Sequence, residues 1–276
     1  MAGFQELRLN FIRNESVHNF DLANGTTVTG ILADTWEDFA GTFESLRNNP
    51  ATIGSIILAP ELITIAPYEM GDPSDVLQVN VEERITAARD MSTVYPDSTL
   101  ILGTPTTDPA AAKPKNSLLY IQAGEIVGQT SKLPYLPEGM ETPYERATSA
   151  QVSQPLPDMP HILPIISSDL LFHHLPTESK VAFLANGGPE EPYADPITTQ
   201  IDALLVSACW QRPLLENADK VHRNAGYFLP LNMATQSLFR AYATLKDILV
   251  VDRMPGMSTL TEPTGPINVH YRRVDT

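Results

Sequence analysis

A chain of 276 residues with 42% hydrophobic and 18% charged residues has the composition of a globular protein, long enough to bury a sizeable core in one large α/β domain. Its formal charge of -15 argues against nucleic acid, because a phosphate backbone calls for a basic surface, and points instead to solubility. A single cysteine, Cys209, excludes an internal disulfide and a cysteine-based metal cluster, and no apolar run approaches the roughly 20 residues that span a bilayer. The N-terminus, Met-Ala-Gly-Phe-Gln-Glu-Leu-Arg, shows no apolar signal core, so the expected location is the cytoplasm, without membrane contact.

Leu7, Leu9 and Phe11 alternate with polar residues, the period of a strand. Asn24-Gly25, between extended segments, marks a hairpin. A helix follows, capped by Asp34 or Thr35, with Trp36, Phe39, Ala40, Phe43 and Leu46 on one face and Pro50 as its close. Ile53 to Ala59 is a short buried strand that runs into Pro60-Glu61. Beyond a Pro/Gly loop from Thr64 to Ser74, a second helix is predicted over about Val81 to Val94, with Ile85, Ala88 and Met91 inward and Pro96 as the stop. Thr99 to Gly103 is the next strand. Ser117 to Gln122 and Glu125 to Thr130 form a meander about Ala123-Gly124 that ends at Lys132.

Residues 133 to 160 carry six prolines and little periodicity; an irregular stretch this long inside a domain serves or covers a site. It holds Glu138 and Glu141. The strand His161 to Ile166 then stops at Ser167-Ser168-Asp169. Thr177 to Asn186 is predicted as a helix halted by Gly187, and 190 to 196 as an inserted loop. Ala203 to Trp210 is predicted as one buried strand, 214 to 224 as a helix, 227 to 231 as extended, and Asp247 to Asp252 as a strand, with an alternating segment at Ile267 to Tyr271. No internal repeat or boundary divides the chain, so residues 1–276 are taken as one α/β domain.

Glu61, Lys132 and Ser167 thus stand at three strand ends. Taken alone, each has a plainer reading: a surface acid, a solvated lysine, and a hydroxyl bonding nearby backbone. Cys209 reads as a small buried hydrophobe, or as a displaced nucleophile inside a different strand. His173-His174 are adjacent and point apart, which disfavours two ligands on one metal ion. No G-x-S-x-G elbow, P-loop, G-x-G-x-x-G fingerprint or H-E-x-x-H helix is present.

The order of these motifs resembles the carbon–nitrogen hydrolase, or nitrilase, superfamily. Three segments carry it: the strand ending Pro60-Glu61 with Tyr68 in the loop behind it; Asn116-Ser-Leu-Leu-Tyr-Ile and Gly124-Glu-Ile-Val-Gly-Gln, then Ser131-Lys132-Leu133 and a proline-rich loop with Glu141; and Ile165-Ile-Ser-Ser-Asp169, then Asp202-Ala-Leu-Leu-Val-Ser-Ala-Cys-Trp210. The resemblance implies a four-layer α-β-β-α sandwich, dimeric through its outer faces, acting on a small amide or nitrile with neither metal nor cofactor. It puts Glu61 on the general base and Lys132 on the cation that stabilises the tetrahedral intermediate. Glu141 falls near the second glutamate, with Glu138 a competitor, and Ser167 falls on the nucleophile. Ser168, Glu138 and Tyr68 fall among the binding residues.

Ser167 is the departure, for the family pattern has a cysteine followed by an aromatic residue and an acid. A thiol ionises near pH 8.5, about the reach of a neighbouring base, whereas a hydroxyl needs its proton removed during attack. Three explanations remain open: an engineered inactivation, a natural loss that leaves a small-molecule-binding or protein-interaction module, and a working serine amidase.

Overall fold

Strand alternation and helix periodicity sort most of the described apolar side chains into three large clusters, and these define the layers. The computed structural model describes residues 7–12, 16–48, 53–65, 80–107, 113–132, 144, 154–166, 169, 200–209, 235, 238–239, 242, 244–253 and 267–273. One sheet has six strands in the order β2 (Val17–Asp21), β3 (Thr27–Ile31), β4 (Ile56–Leu58), β5 (Thr99–Thr106), β6 (Lys115–Gln122), β7 (Glu125–Ser131). The other has five, ordered β1 (Leu7–Ile12), β11 (Ile267–Arg273), β10 (Asp247–Asp252), β9 (Ala203–Ala208), β8 (Ile162–Ile166). β3, β4 and β5 run parallel, as do β8, β9 and β10, and the remaining pairs are antiparallel.

Between the sheets lie Phe20, Val28, Ile56, Leu58, Ile101 and Leu118 from one and Ile162, Ile166, Leu205, Leu249 and Val251 from the other. The alternate residues of the six-stranded sheet, among them Ile57, Leu100, Leu102 and Leu119, pack under the helices α1 (Trp36–Leu46) and α2 (Val81–Ser92). Those of the five-stranded sheet, among them Leu163, Leu204, Val206 and Val250, pack under the helical Leu238 and Phe239. The period of two thus sends successive residues of each strand to opposite faces, and the order of layers is α-β-β-α.

Most predicted elements appear with shifted ends. Thr35, not Asp34, caps α1, its hydroxyl accepting from the Asp38 N–H at 3.1 Å, and Phe39, Phe43 and Leu46 are buried. Gly25 turns the β2–β3 hairpin at φ 87°, and Ala123-Gly124 turns β6 into β7 with both residues at positive φ. Among the described strands β8 stands at the edge of its sheet, a position that accommodates Pro164. Two strands differ more. β4 is regular only over Ile56–Leu58, and β9 ends at Ala208, which leaves Cys209 beyond the strand rather than inside it. The helices predicted at 177–186 and 214–224, the extended 227–231, the loop 190–196 and His173-His174 lie outside the described residues. No described helix is long and apolar enough to cross a membrane.

The sheets are also tied by polar side chains. Asp247, 1% exposed at the start of β10, accepts from His270 Nε2 at 2.9 Å and Arg272 Nε at 2.7 Å through Oδ1, and from the Ala23 N–H at 2.7 Å through Oδ2. Arg272 also donates to the Asp21 carbonyl. At the other end of the strands, the Ser207 hydroxyl of β9 donates to the Ala59 carbonyl beyond β4 at 2.9 Å. That second tie draws the ends of β4 and β9 together, and the site is built there.

Candidate active site

The first site residue is projected by an interruption in the sheet ladder. The Ala59 N–H donates to the Ile101 carbonyl at 3.0 Å, and Ile63 N–H rejoins β5 at the Gly103 carbonyl at 2.9 Å. Pro60-Glu61-Leu62 bulges out between them. Leu62 closes the bulge in the left-handed region at φ 53°, a conformation that costs a branched residue on the order of 1–3 kcal/mol. Gly103 makes room for it: a Cβ there would lie 2.6 Å from the Glu61 Cα and 2.8 Å from the Leu62 nitrogen, and would also strike the Pro60 carbonyl.

Glu61 is 1% exposed, and its carboxylate is held from three directions. Oε1 accepts from Lys132 Nζ at 3.0 Å and from Asn116 Nδ2 at 2.6 Å; Oε2 accepts from the Cys209 N–H at 2.8 Å. Lys132 is itself buried, at 6% exposure. The meander supplies it: Lys132 N–H donates to the Asn116 carbonyl at 2.7 Å, so the β6–β7 register sets the two side chains across from one another over Glu61. A carboxylate taken out of water needs a countercharge and further donors, and this one has both. Burial overturns the plainer readings of a surface acid and a solvated lysine.

Cys209 enters through its backbone. Its thiol is pushed well up from the ordinary value, first by burial and then by repulsion from Glu61, so it stays protonated near neutral pH. A displaced thiolate nucleophile is therefore disfavoured there, while the amide does the holding. The same residue joins Leu62, Ile65 and Val81 in an apolar wall on which Tyr144 packs.

Of the residues predicted for the site, Glu61 and Lys132 are brought together. Ser167, Ser168, Glu138, Glu141 and Tyr68 lie outside the described residues. The chain leading into Ser167 is described: β8 ends at Ile166, paired with Ser207, and Ser207 is the residue that reaches Ala59. Asp169, two residues beyond Ser167, is helical and 1% exposed.

Asn116 and the Cys209 amide were not singled out as site groups from sequence. Asn116 could not be placed by counting: a regular hairpin about Ala123-Gly124 sets it opposite Ser131, and the register shift between Tyr120 and Ile121 moves it to Lys132. Its Oδ1 is buried without a hydrogen-bond partner among the described residues. The amide of Cys209 had no signal either, since an apolar run does not announce where its ladder stops. Among the described residues no cluster of His, Cys, Asp and Glu is arranged to hold a metal ion.

No family model matches the chain, and no curated protein matches it in sequence. Solved structures match it in fold. A carbon–nitrogen hydrolase from Helicobacter pylori G27 superposes with a TM-score of 0.53 at 11% identity, over 89% of this chain and 87% of that one. The fold is that of the carbon–nitrogen hydrolases. A variant amidase from Nesterenkonia sp. AN1, bearing the acetamide moiety of fluoroacetamide on its active-site cysteine, matches with a TM-score of 0.50 at 10% identity, over 89% and 90%. Glutamine-dependent NAD+ synthetase from Acinetobacter baumannii gives a TM-score of 0.54 at 12% identity over 98% of this chain; the chain spans about half of that protein, 48%. At these identities the likeness carries the carbon–nitrogen hydrolase fold and not a substrate.

Proposed function

We propose that this chain acts as a carbon–nitrogen hydrolase on a small amide or nitrile, with Glu61 as general base, Lys132 as the oxyanion's cation and Ser167 as nucleophile. The observation that carries this is the buried Glu61–Lys132 pair at 3.0 Å, held on a carbon–nitrogen hydrolase fold. Glu61 takes the Ser167 proton as the oxygen attacks the carbonyl carbon, and Lys132 with the Ser168 N–H steadies the oxyanion. Collapse returns the proton to the leaving amine, and water activated by Glu61 then cleaves the ester. An ammonium beside a carboxylate is its countercharge, so the role of base falls to Glu61 and not to Lys132. Glu141, or Glu138 in its stead, is the proposed second glutamate, with Tyr68 and Ser168 as binding residues. The protein is further proposed to be a cytoplasmic homodimer, which light scattering and fractionation test.

A second reading is favoured by Ser167 itself. Without a thiol the pocket would bind a small molecule or a partner and not turn it over. Ammonia release from a panel of small amides and nitriles, by the parent chain and by Ser167→Cys, separates the readings. Hydrolysis by the parent, with an acyl adduct on Ser167 by mass spectrometry, supports the serine amidase. Hydrolysis by Ser167→Cys alone shows intact machinery around a silenced nucleophile. Inertness of both chains rejects catalysis and leaves the binding reading.

A further inference from the structure

Another buried charge lies beneath the turn that carries Glu61. Arg253 follows β10 directly and is 0% exposed, the largest side chain among those fully buried. Its guanidinium spends its donors on backbone carbonyls: Nε on Asp34 at 2.5 Å, Nη1 on Leu62 at 2.6 Å and Nη2 on Ile65 at 2.8 Å. Its own backbone N–H donates to the Ala208 carbonyl at 3.0 Å. One residue therefore grips both ends of the turn after Glu61 and also the last residue of β9. The next residue along, Cys209, presents the N–H that meets Glu61 Oε2.

Burial disfavours the charge on Arg253, yet arginine keeps its proton in proteins, so carbonyl dipoles here stand in for solvent. The planar fork is what allows one side chain to reach carbonyls of three residues; a lysine ammonium offers donors from a single point. The Leu62 carbonyl it holds belongs to the residue in the left-handed region, where the backbone most needs an external tie.

We infer that Arg253 is a positioning residue that sets the Glu61 carboxylate against the Cys209 amide and Lys132 by clamping the backbone that follows Glu61 and the backbone that precedes Cys209. Its catalytic meaning rests on the role proposed for Glu61; its geometric content does not.

The sole cysteine gives the test. Labelling with 15N-cysteine yields one amide resonance, that of Cys209, whose shift and hydrogen exchange report its bond to Glu61 whether or not the protein is an enzyme. Arg253→Lys and Arg253→Met are expected to move this resonance toward its position in Glu61→Ala and to speed its exchange about tenfold, as loss of a hydrogen bond to a charged group does. Millimolar guanidinium is expected to return the parent signal in Arg253→Ala, and equimolar ammonium is not. Asp247→Asn, which strains the opposite end of β10, leaves the resonance in place. In whichever of the parent or Ser167→Cys hydrolyses amides, Arg253→Lys lowers kcat more than it raises KM. If neither chain hydrolyses, the functional reading fails, and the amide signal still decides this inference. Folded Arg253 variants with the parent resonance and exchange overturn it. So does failure of all three to fold even with guanidinium present, which makes Arg253 a strut and nothing more.

Discussion

Lys132→Met removes the charge from the buried pair while keeping most of the volume of the side chain. With Glu61 at 1% and Lys132 at 6% exposure, neither partner can fall back on water. At 3.0 Å, and with an effective interior dielectric near 20, the attraction lost is about 5 kcal/mol, partly offset by the desolvation the lysine no longer suffers. The carboxylate keeps the Asn116 and Cys209 donors but no countercharge, and removing one partner of such a pair typically costs about 3–5 kcal/mol. With a urea slope of about 3 kcal/mol per molar, the unfolding midpoint should fall by roughly 1–1.7 M. Glu61→Gln combined with Lys132→Met should recover much of the loss, because it buries no charge. Urea titrations of the parent, both single variants and the double variant measure the coupling directly. A shift below about 0.3 M for Lys132→Met, the size expected of an exposed pair, would mean that the two groups are solvated and would refute the site geometry.

Cys209 should resist alkylation by iodoacetamide in the native state at neutral pH and react only on unfolding, since burial and Glu61 hold its thiol protonated; rapid stoichiometric labelling seen by mass spectrometry would contradict this. Burial would raise the Asp247 carboxyl, but hydrogen bonds from His270, Ala23 and Arg272 together bring it below the ordinary 3.8. Its contribution to stability is therefore present above that value and lost as pH falls through the folded-state one, so Asp247→Asn should flatten the acid limb of the stability profile and lower neutral-pH stability by about 3 kcal/mol. Thr35→Ala should cost about 1 kcal/mol by leaving the Asp38 N–H uncapped, read as a urea midpoint shift without change in slope.

The parts of this fold that follow local rules could be read from the sequence, and the parts set by distant contacts could not. Alternation and helical periodicity placed the core strands and the helices α1 and α2, because each such pattern lies within a dozen residues. The ends were harder. Ala203 to Trp210 is apolar apart from Ser207, so nothing local shows that the ladder stops at Ala208 and turns the amide of Cys209 toward a carboxylate from another sheet. Glu61 was legible as a strand-end acid, but its bulge depends on Gly103, more than forty residues further on. Arg253 was the least legible. After Val250-Val251-Asp252 it resembles any solvated charge at a strand end, and only its carbonyl contacts on three separate loop residues reveal an interior role.

These non-local features also bear on what the buried carboxylate is for. A fold that needed only a core would be as well or better served by apolar residues at 61 and 132, since replacing a buried ion pair with packed hydrophobes is often neutral or stabilising. Here a left-handed leucine, a glycine without room for a methyl group, a fully buried arginine and a backbone amide from the opposite sheet all converge on one carboxylate. Each departs from what stability alone would select, and such departures gather where a chain holds a reactive group in a set position. The carboxylate and its ammonium are thus fixed in place, as the proposed hydrolysis requires, and amide turnover by the parent chain and by Ser167→Cys decides whether they serve it.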